Sequence, residues 1–302
     1  MSMKSKSFFL SFLLCCCLQQ ARSQRYDSLV NLSNGRTAVY CSKGFEARAR
    51  ETGSRVEKAY RFLSGWLQFE PTVTLLVLSK KDWSRYTPFP VYGMPHYDDK
   101  QTLVVAAEDN EFWNSFIPPA GQLPPDLARR VQEVYGGPDG RISMKPFFDL
   151  LAIHELGHAF HFQARLNMQR KWMGELLVNM LLHAFVAEQE PSSLPALTLF
   201  PQLVVNGGTK GFLYTSLQDV HDRYNEIGQQ HPNNYGWYQC RWHAGAASMY
   251  DQEGKQLTLR LWKALQAQAV TLPDAELLRY LREQAGATLS DFILNWDQTI
   301  KR

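Results

Sequence analysis

The order of the hydrophobic patterns along the chain limits the fold more than any other feature. Segments 37–44, 72–79 and 102–107 are rich in β-branched residues or alternate between apolar and polar ones, which predicts strands. From residue 147 onward apolar residues recur at helical spacing, and two helices are expected over 147–166 and 172–190. A chain that places its strands first and its helices afterward is typical of an α+β fold.

One domain with two lobes is predicted for residues 24–302. No internal repeat and no linker rich in Gly, Ser and Pro divides this part of the sequence. We expect a first lobe over residues 24–166, which contains the strands and a helix at 46–66, and a mostly α-helical second lobe over 167–302. Residues 118–140 contain several Pro and Gly residues, so they are expected to form a surface excursion around one short helix.

Residues 1–23 predict a secretory signal peptide. Lys4 and Lys6 precede an apolar run over residues 8–18, and the segment ends in Ala-Arg-Ser, a small-x-small cleavage site. The apolar run is too short to span a membrane, so no stable membrane insertion is expected after cleavage. The sequence therefore predicts a secreted or periplasmic protein that begins at Gln24.

With the signal peptide removed, the sequence has no excess of either charge. The segment contains three basic residues and no acidic one, so the 32 basic residues fall to 29, which equals the 29 acidic residues. A neutral chain without a basic stripe gives no support for a nucleic-acid or anionic-membrane partner. The sequence predicts no oligomeric state.

Cys41 and Cys240 are the two cysteines that follow the signal peptide. In an oxidising compartment, two cysteines are the right number for one disulfide. Two unpaired buried thiols are the alternative, because sequence cannot place the two Cα atoms within bridging distance. Both interpretations stay open at this point.

The segment AIHELGHAF at residues 152–160 contains the residues of a candidate metal site. Residues four apart lie on the same face of an α-helix, so His154 and His158 can both direct a ring nitrogen at one metal ion. Glu155 lies about 100° away around the helix, beside the metal, where it can take a proton from a water. The surrounding residues are apolar, and two unpaired imidazoles in a buried helix would be costly. A core helix that happens to carry two histidines is the alternative.

A third ligand is expected on the next helix, because a catalytic zinc ion takes three protein ligands and leaves one position for water. No histidine follows His158 at the HxxGxxH spacing, so a carboxylate is the better candidate. Glu175 is a lone acid in the apolar segment WMGELLVNMLLHAF, 17 positions after His158, where an unpaired carboxylate would be expensive. Glu188 and Glu190 are the alternatives, but they lie at the end of that helix beside Pro191 and are better explained as solvated.

The motif HELGH followed by Glu175 resembles the gluzincin group of zinc metallopeptidases, which includes thermolysin. The resemblance implies a zincin-like fold with a mixed β-sheet, one Zn²⁺ ion held by His154, His158 and Glu175, and Glu155 as the general base. The family often has an aspartate four residues after the ligand glutamate, where it orients one ligand histidine; this sequence has Asn179 there. An amide oxygen can still accept the imidazole N–H, but without charge, so the resemblance implies a lower metal affinity than the family norm.

The resemblance also implies a donor for the oxyanion that forms when water attacks a carbonyl group. Gluzincins supply this donor from a Tyr or His well downstream, and NYGWYQCRWHAGAASMYDQEG resembles the Tyr-bearing helix of the family. Tyr238 is the predicted donor. Tyr235, His243 and Tyr250 are the alternatives, because geometry and not spacing decides such a role.

Zincins usually bind an extended substrate along an edge strand above the active-site helix. Segment 102–107 is the predicted edge strand, with His96 and Tyr97 lining the cleft. Turn and packing roles are the alternative for both residues.

Together these observations predict a secreted zinc metallopeptidase that hydrolyses peptide or protein substrates. Two alternatives come from other classes: a catalytically silent zincin-like binding or scaffold module, and a zinc hydrolase that acts on a non-peptide amide or ester. No GxMEN segment of the aminopeptidase type is present, so recognition of a free N-terminus has no support and endopeptidase activity is expected. The physiological substrate is not predicted.

Overall fold

A mixed five-stranded sheet lies in the first half of the chain. The computed structural model describes residues 26–33, 35–98, 101–117 and 120–296, and the predicted signal peptide lies outside them. The strands are β1 (Val30–Asn31), β2 (Ala38–Cys41), β3 (Thr74–Leu78), β4 (His96–Tyr97) and β5 (Thr102–Ala106). Their order is β1-β2-β3-β5-β4; β2, β3 and β5 run parallel, and the two edge strands β1 and β4 run antiparallel to their neighbours. The predicted mixed sheet is confirmed.

The three predicted strands are confirmed, but the prediction that segment 102–107 forms the sheet edge is wrong. β5 lies between β3 and β4, and all five of its residues are buried. A continuous apolar run is typical of an interior strand of a parallel sheet, which is covered on both faces. The edge is instead β4, which pairs His96 with Val104 and Tyr97 with Leu103. Two residues are too few for an alternating pattern to identify a strand, and the sequence around β4 indicated a turn.

Helices form most of the remaining structure, and every regular element described after residue 145 is helical. They are α1 (Glu46–Leu67), α2 (Lys80–Tyr86), α3 (Glu111–Asn114), α4 (Pro125–Tyr135), α5 (Lys145–Gln163), α6 (Lys171–Gln189), α7 (Leu194–Asn206), α8 (Leu217–Gln230), α9 (Pro232–Glu253), α10 (Lys255–Ala267), α11 (Asp274–Gln284) and α12 (Ala287–Leu294). The α+β class is therefore confirmed. Among the described residues, no helix combines the length and the apolar character that crossing a membrane requires.

The excursion at residues 118–140 contains one α-helix, α4, as predicted. Tyr135 at its end is buried, and its hydroxyl donates to the backbone oxygen of Ala196 in α7 at 2.8 Å. This contact ties α4 to the helical half of the chain.

Helices α5 and α6 are packed unusually closely, and this packing positions the candidate site. α5 contacts α1 and the sheet on one side and α6 on the other, and every residue of α6 from 172 to 186 is buried. A Cβ atom on Gly157 of α5 would lie 3.0 Å from Cβ and Cγ1 of Val178 of α6, which is closer than side chains normally approach. Because Gly157 has no side chain, the two helix backbones can approach each other at this point.

Cys41 and Cys240 are both buried and unpaired, which confirms the second of the two interpretations. Cys41 lies at the end of β2 and Cys240 within α9. Burial raises the pKa of the Cys41 thiol to about 11, so the group stays protonated and unreactive at neutral pH.

Candidate metal centre

Two histidines of α5 and one glutamate of α6 bring three metal-binding atoms together. Nε2 of His154 lies 3.3 Å from Nε2 of His158. Oε2 of Glu175 lies 3.2 Å from the first nitrogen and 3.6 Å from the second. Within the described residues this is the cluster whose geometry could hold a metal ion. His154, His158 and Glu175 therefore lie together as the sequence predicted.

The three distances match the edges of a tetrahedral zinc site. Zinc bonds to histidine nitrogen and carboxylate oxygen are about 2.0–2.2 Å long, so the ligand atoms of a tetrahedron lie about 3.3–3.6 Å apart. The donor set, two imidazoles and one carboxylate, is also one that catalytic zinc sites use. The residues present thus fit one zinc ion with a fourth position left for water.

Asn179 orients His154. Its Oδ1 lies 3.3 Å from Nδ1 of His154, and its Nδ2 donates to the backbone oxygen of Glu175 at 2.9 Å. With the amide NH₂ engaged by a carbonyl group, Asn179 presents only its oxygen to the imidazole. His154 therefore carries its proton on Nδ1, which leaves the lone pair of Nε2 free for a metal.

Two polar side chains hold the carboxylate of Glu175. The hydroxyl of Tyr224, on α8, donates to Oε1, and Nε2 of Gln239, on α9, donates to Oε2 at 2.9 Å. Burial opposes the charged form, but His158 and His154 hold the pKa of Glu175 well below its usual range. The carboxylate of Glu175 is therefore ionised and fixed in orientation, as a metal ligand would have to be.

Glu155 lies beside the three donor atoms on the adjoining face of α5. Desolvation raises the pKa of its carboxyl to about 8; His154 and a hydrogen bond from the Tyr97 backbone lower it, and the charge of Glu175 raises it. A carboxyl with this pKa is mostly protonated at neutral pH, and a cation held by the neighbouring donor atoms would favour the ionised form, which is the form that accepts a proton. The bond to Tyr97 also links Glu155 to the edge strand β4.

The alternative carboxylates are paired with basic residues elsewhere. Glu188 accepts a hydrogen bond from Lys255 at 3.0 Å, and Glu190 accepts one from Arg55 at 3.0 Å. Neither acid belongs to the cluster of metal-binding atoms.

Tyr238 lies apart from the donor cluster, contrary to its predicted role as the oxyanion donor. Its side chain is fully buried, and its hydroxyl donates to the backbone oxygen of Ser216 at 2.8 Å. Its ring stacks on Trp242 and Trp296. Tyr238 is offset by about 100° around α9 from Gln239, the α9 residue that contacts Glu175, and its hydroxyl reaches Ser216 instead.

The face of α9 that meets the site carries Tyr235, Gln239 and His243, spaced four residues apart. Gln239 donates to Tyr235 at 2.9 Å as well as to Glu175, and the His243 ring stacks on that of His154 with centroids 6.2 Å apart. Burial holds the pKa of His243 well below its usual range, so the ring is neutral. The sequence analysis included Tyr235 and His243 as alternatives but missed Gln239. Its position midway between the two, four residues from each, could have identified it.

Tyr224 was missed altogether. Its hydroxyl lies 3.1 Å from that of Tyr235. Because Tyr224 gives its own proton to the Glu175 carboxylate, Tyr235 must be the donor between the two hydroxyls. No local pattern in α8 indicates that this tyrosine reaches a glutamate 49 positions earlier.

The two residues expected to line the cleft have different roles. His96 is a packing residue, since its Nε2 lies 2.6 Å from Oγ1 of Thr87 and its ring stacks on Phe89. Tyr97 borders the site: its backbone binds Glu155, and its ring lies parallel to that of Phe162, with centroids 6.3 Å apart.

Comparison with models of known protein families gives no match for this chain, and comparison with curated proteins gives none either. The interpretation of the site therefore depends on its geometry and chemistry.

Proposed function

We propose that this protein is a secreted zinc metallopeptidase of the gluzincin type, with a zincin-like fold. His154, His158 and Glu175 hold one zinc ion, and Glu155 is the general base. The observation that carries the proposal is the convergence of three zinc donors at distances close to those of a tetrahedron, beside a fourth group, the carboxyl of Glu155. A structural histidine cluster has no need of that fourth group.

The chemistry is peptide-bond hydrolysis. A bound zinc ion supplies Lewis acidity, which lowers the pKa of water and polarises a carbonyl group. Glu155 takes a proton from the attacking water, whose oxygen bonds to the carbonyl carbon. As the C–N bond breaks, Glu155 passes that proton to the departing nitrogen, and the products are a carboxylic acid and an amine.

Tyr235 is the best candidate for the oxyanion donor. Its hydroxyl proton is shared only with Tyr224, a neutral partner, whereas the Tyr224 proton is committed to a carboxylate. Burial above all, then the charges of Glu175 and Glu155, raises the pKa of Tyr235, so its hydroxyl stays protonated. A neutral hydroxyl that can turn toward developing negative charge is what this role requires.

The edge strand β4 is the proposed binding site for an extended substrate. It runs antiparallel to β5, contacts α5, and brings Tyr97 to Glu155. A peptide that added to this edge by main-chain hydrogen bonds would pass beside the general base.

The test compares four proteins that begin at Gln24, each incubated with a diverse peptide mixture and read by mass spectrometry. They are the unaltered protein, Glu155→Gln, Glu175→Ala and Glu188→Gln; the last removes an α6 acid that pairs with Lys255. We expect the unaltered protein and Glu188→Gln to cut peptides and to stop when a chelator removes zinc. Glu155→Gln should bind zinc normally but lose about 10²–10⁴-fold in rate, whereas Glu175→Ala should lose zinc as well.

Other outcomes select the alternatives. Normal turnover by Glu155→Gln would show that Glu155 is not the general base and would contradict the proposed mechanism. Folded, zinc-loaded protein that cuts no peptide would indicate a binding module, and cleavage of an ester reporter but not of its matched amide would indicate a hydrolase of non-peptide substrates.

A further inference from the structure

His161 continues the line of histidines on α5. It lies seven positions after His154 and three after His158, so all three side chains share one side of the helix. His161 is 3% exposed, and its ring occupies the space beside Gly174 of α6, where an added Cβ atom would lie 3.6 Å from its Cε1 and Nε2. A buried imidazole at this position needs a partner.

That partner is His158. Nε2 of His161 lies 2.9 Å from Nδ1 of His158. The other ring nitrogen of His158, Nε2, is the one that faces Nε2 of His154 and Oε2 of Glu175. A metal in the cluster would take the lone pair of this Nε2, so His158 must carry its proton on Nδ1 and donate it to His161.

His161 is not itself a fourth metal ligand. Its Nε2 approaches the edge of the His158 ring that faces away from the donor cluster. It does not belong to the group of metal-binding atoms formed by His154, His158 and Glu175. Its lone pair is engaged by the Nδ1 proton of His158.

We propose that His161 is a positioning residue of the metal centre: its Nε2 accepts the Nδ1 proton of His158 and fixes the ring with Nε2 directed at the metal. The proposal rests on the metal site of the proposed function, but not on peptide cleavage. By this proposal, each ligand histidine donates its Nδ1 proton to a neutral acceptor. The acceptor is the amide oxygen of Asn179 for His154 and the imidazole of His161 for His158. Such outer contacts contribute to metal affinity by fixing the tautomer and the orientation of the ring.

The test measures zinc affinity by competition with a fluorescent chelator, together with the visible spectrum of the Co²⁺-substituted protein. His161→Leu keeps a side chain of similar size but cannot accept the Nδ1 proton of His158. We expect zinc binding to weaken about 10–100-fold and the Co²⁺ spectrum to change. His161→Gln places an oxygen near the position of Nε2 and should restore most of the affinity. The matched control is His183→Leu, another buried histidine, whose ring contacts Tyr250; zinc affinity should not change.

The outcomes separate this proposal from the proposed function. Zinc affinity and a Co²⁺ spectrum unchanged in His161→Leu would overturn it. If the Leu variant does not fold, the zinc affinities of His161→Gln and His161→Asn are compared instead. The Asn side chain is shorter, so its oxygen should not reach His158 and zinc should bind more weakly. Equal zinc affinity of these two variants would also overturn the proposal. Unaltered protein that binds zinc but cuts no peptide would overturn only the peptidase proposal, and protein that binds no zinc would overturn both.

Discussion

Oδ1 of Asn179 lies 3.3 Å from Nδ1 of His154, while Nδ2 of the same amide donates to the backbone oxygen of Glu175 at 2.9 Å. The resemblance to gluzincins leads one to expect an aspartate at this position. An aspartate could accept the imidazole proton, but it could not donate to the carbonyl group of Glu175. The amide thus accepts a hydrogen bond from His154 and donates one to Glu175, whereas a carboxylate could only accept. This difference gives a physical reason for the asparagine.

Asn179→Asp should therefore destabilise the metal-free protein. Asn179 is fully buried, and a carboxylate there would direct one oxygen at the Glu175 carbonyl oxygen. We expect a loss of about 1–3 kcal/mol in the free energy of unfolding, measured with urea, because two buried oxygens would face each other with no hydrogen between them. The exposed Asn225→Asp on α8 is the control and should change stability by less than about 0.5 kcal/mol. An Asn179→Asp protein as stable as the control would contradict this explanation.

Tyr235→Phe should lower kcat and leave zinc binding intact. The variant keeps the ring but removes the hydroxyl that we propose donates to the oxyanion. Loss of one such donor costs about 10²–10³-fold in kcat, with little change in KM. The measurement is steady-state cleavage of a peptide found in the mixture experiment.

Tyr238→Phe is the matched control for Tyr235→Phe, since both tyrosines lie on α9. Its hydroxyl contacts the backbone oxygen of Ser216, so the variant should lose about 1 kcal/mol of stability and keep its turnover. The reverse result, with turnover lost in Tyr238→Phe and kept in Tyr235→Phe, would restore the role that the sequence analysis gave to Tyr238.

The three clustered residues could be predicted from the sequence because each is constrained locally. His154 and His158 are one helical turn apart, and Glu175 is a lone acid in a segment that is otherwise apolar. Burial of α6 on all sides follows from that composition, and a buried acid then needs partners. The same local patterns gave the three longer strands and the principal helices.

The residues around the ligands could not be predicted, because their contacts depend on how separate helices pack. Tyr224 reaches Glu175 from another helix, 49 positions away. Tyr235 and Tyr238 lie only three positions apart on α9, so helical spacing alone does not show which of them reaches the site, and the sequence of that helix is rich in aromatic residues. The edge strand β4 is defined by its pairing with β5 and not by its two residues.

Gly157→Ala should disturb both the packing and the site. The added Cβ would lie 3.0 Å from Val178, so α5 and α6 would have to move apart by a few tenths of an ångström. Overpacking of this kind costs about 1–3 kcal/mol, and the shift would also carry Glu175 away from the two histidines. We expect a lower Tm and weaker zinc binding, measured by thermal unfolding and chelator competition.

The control for this variant is Gly65→Ala on α1. Gly65 is an exposed helical glycine, and an added Cβ would meet no atom within 4 Å. Replacement of such a glycine should raise stability by about 0.5–1 kcal/mol. If Gly157→Ala behaved like Gly65→Ala, the close approach of the two helices would not be what positions Glu175.

Phe162→Ala should change which peptides are cut. Phe162 is 60% exposed although its ring stacks on His158 and lies parallel to Tyr97, so it forms an apolar wall beside the metal-binding atoms. An apolar substrate side chain that packs against this wall would lose about 1–1.5 kcal/mol of binding without it, or about tenfold in kcat/KM. Peptides with small or polar residues at the same position should be cut at nearly the original rate. Leu294→Ala, which removes a side chain 62% exposed on α12, is the control and should leave the peptide profile unchanged. A profile that is the same for Phe162→Ala and Leu294→Ala would show that substrates do not use this wall.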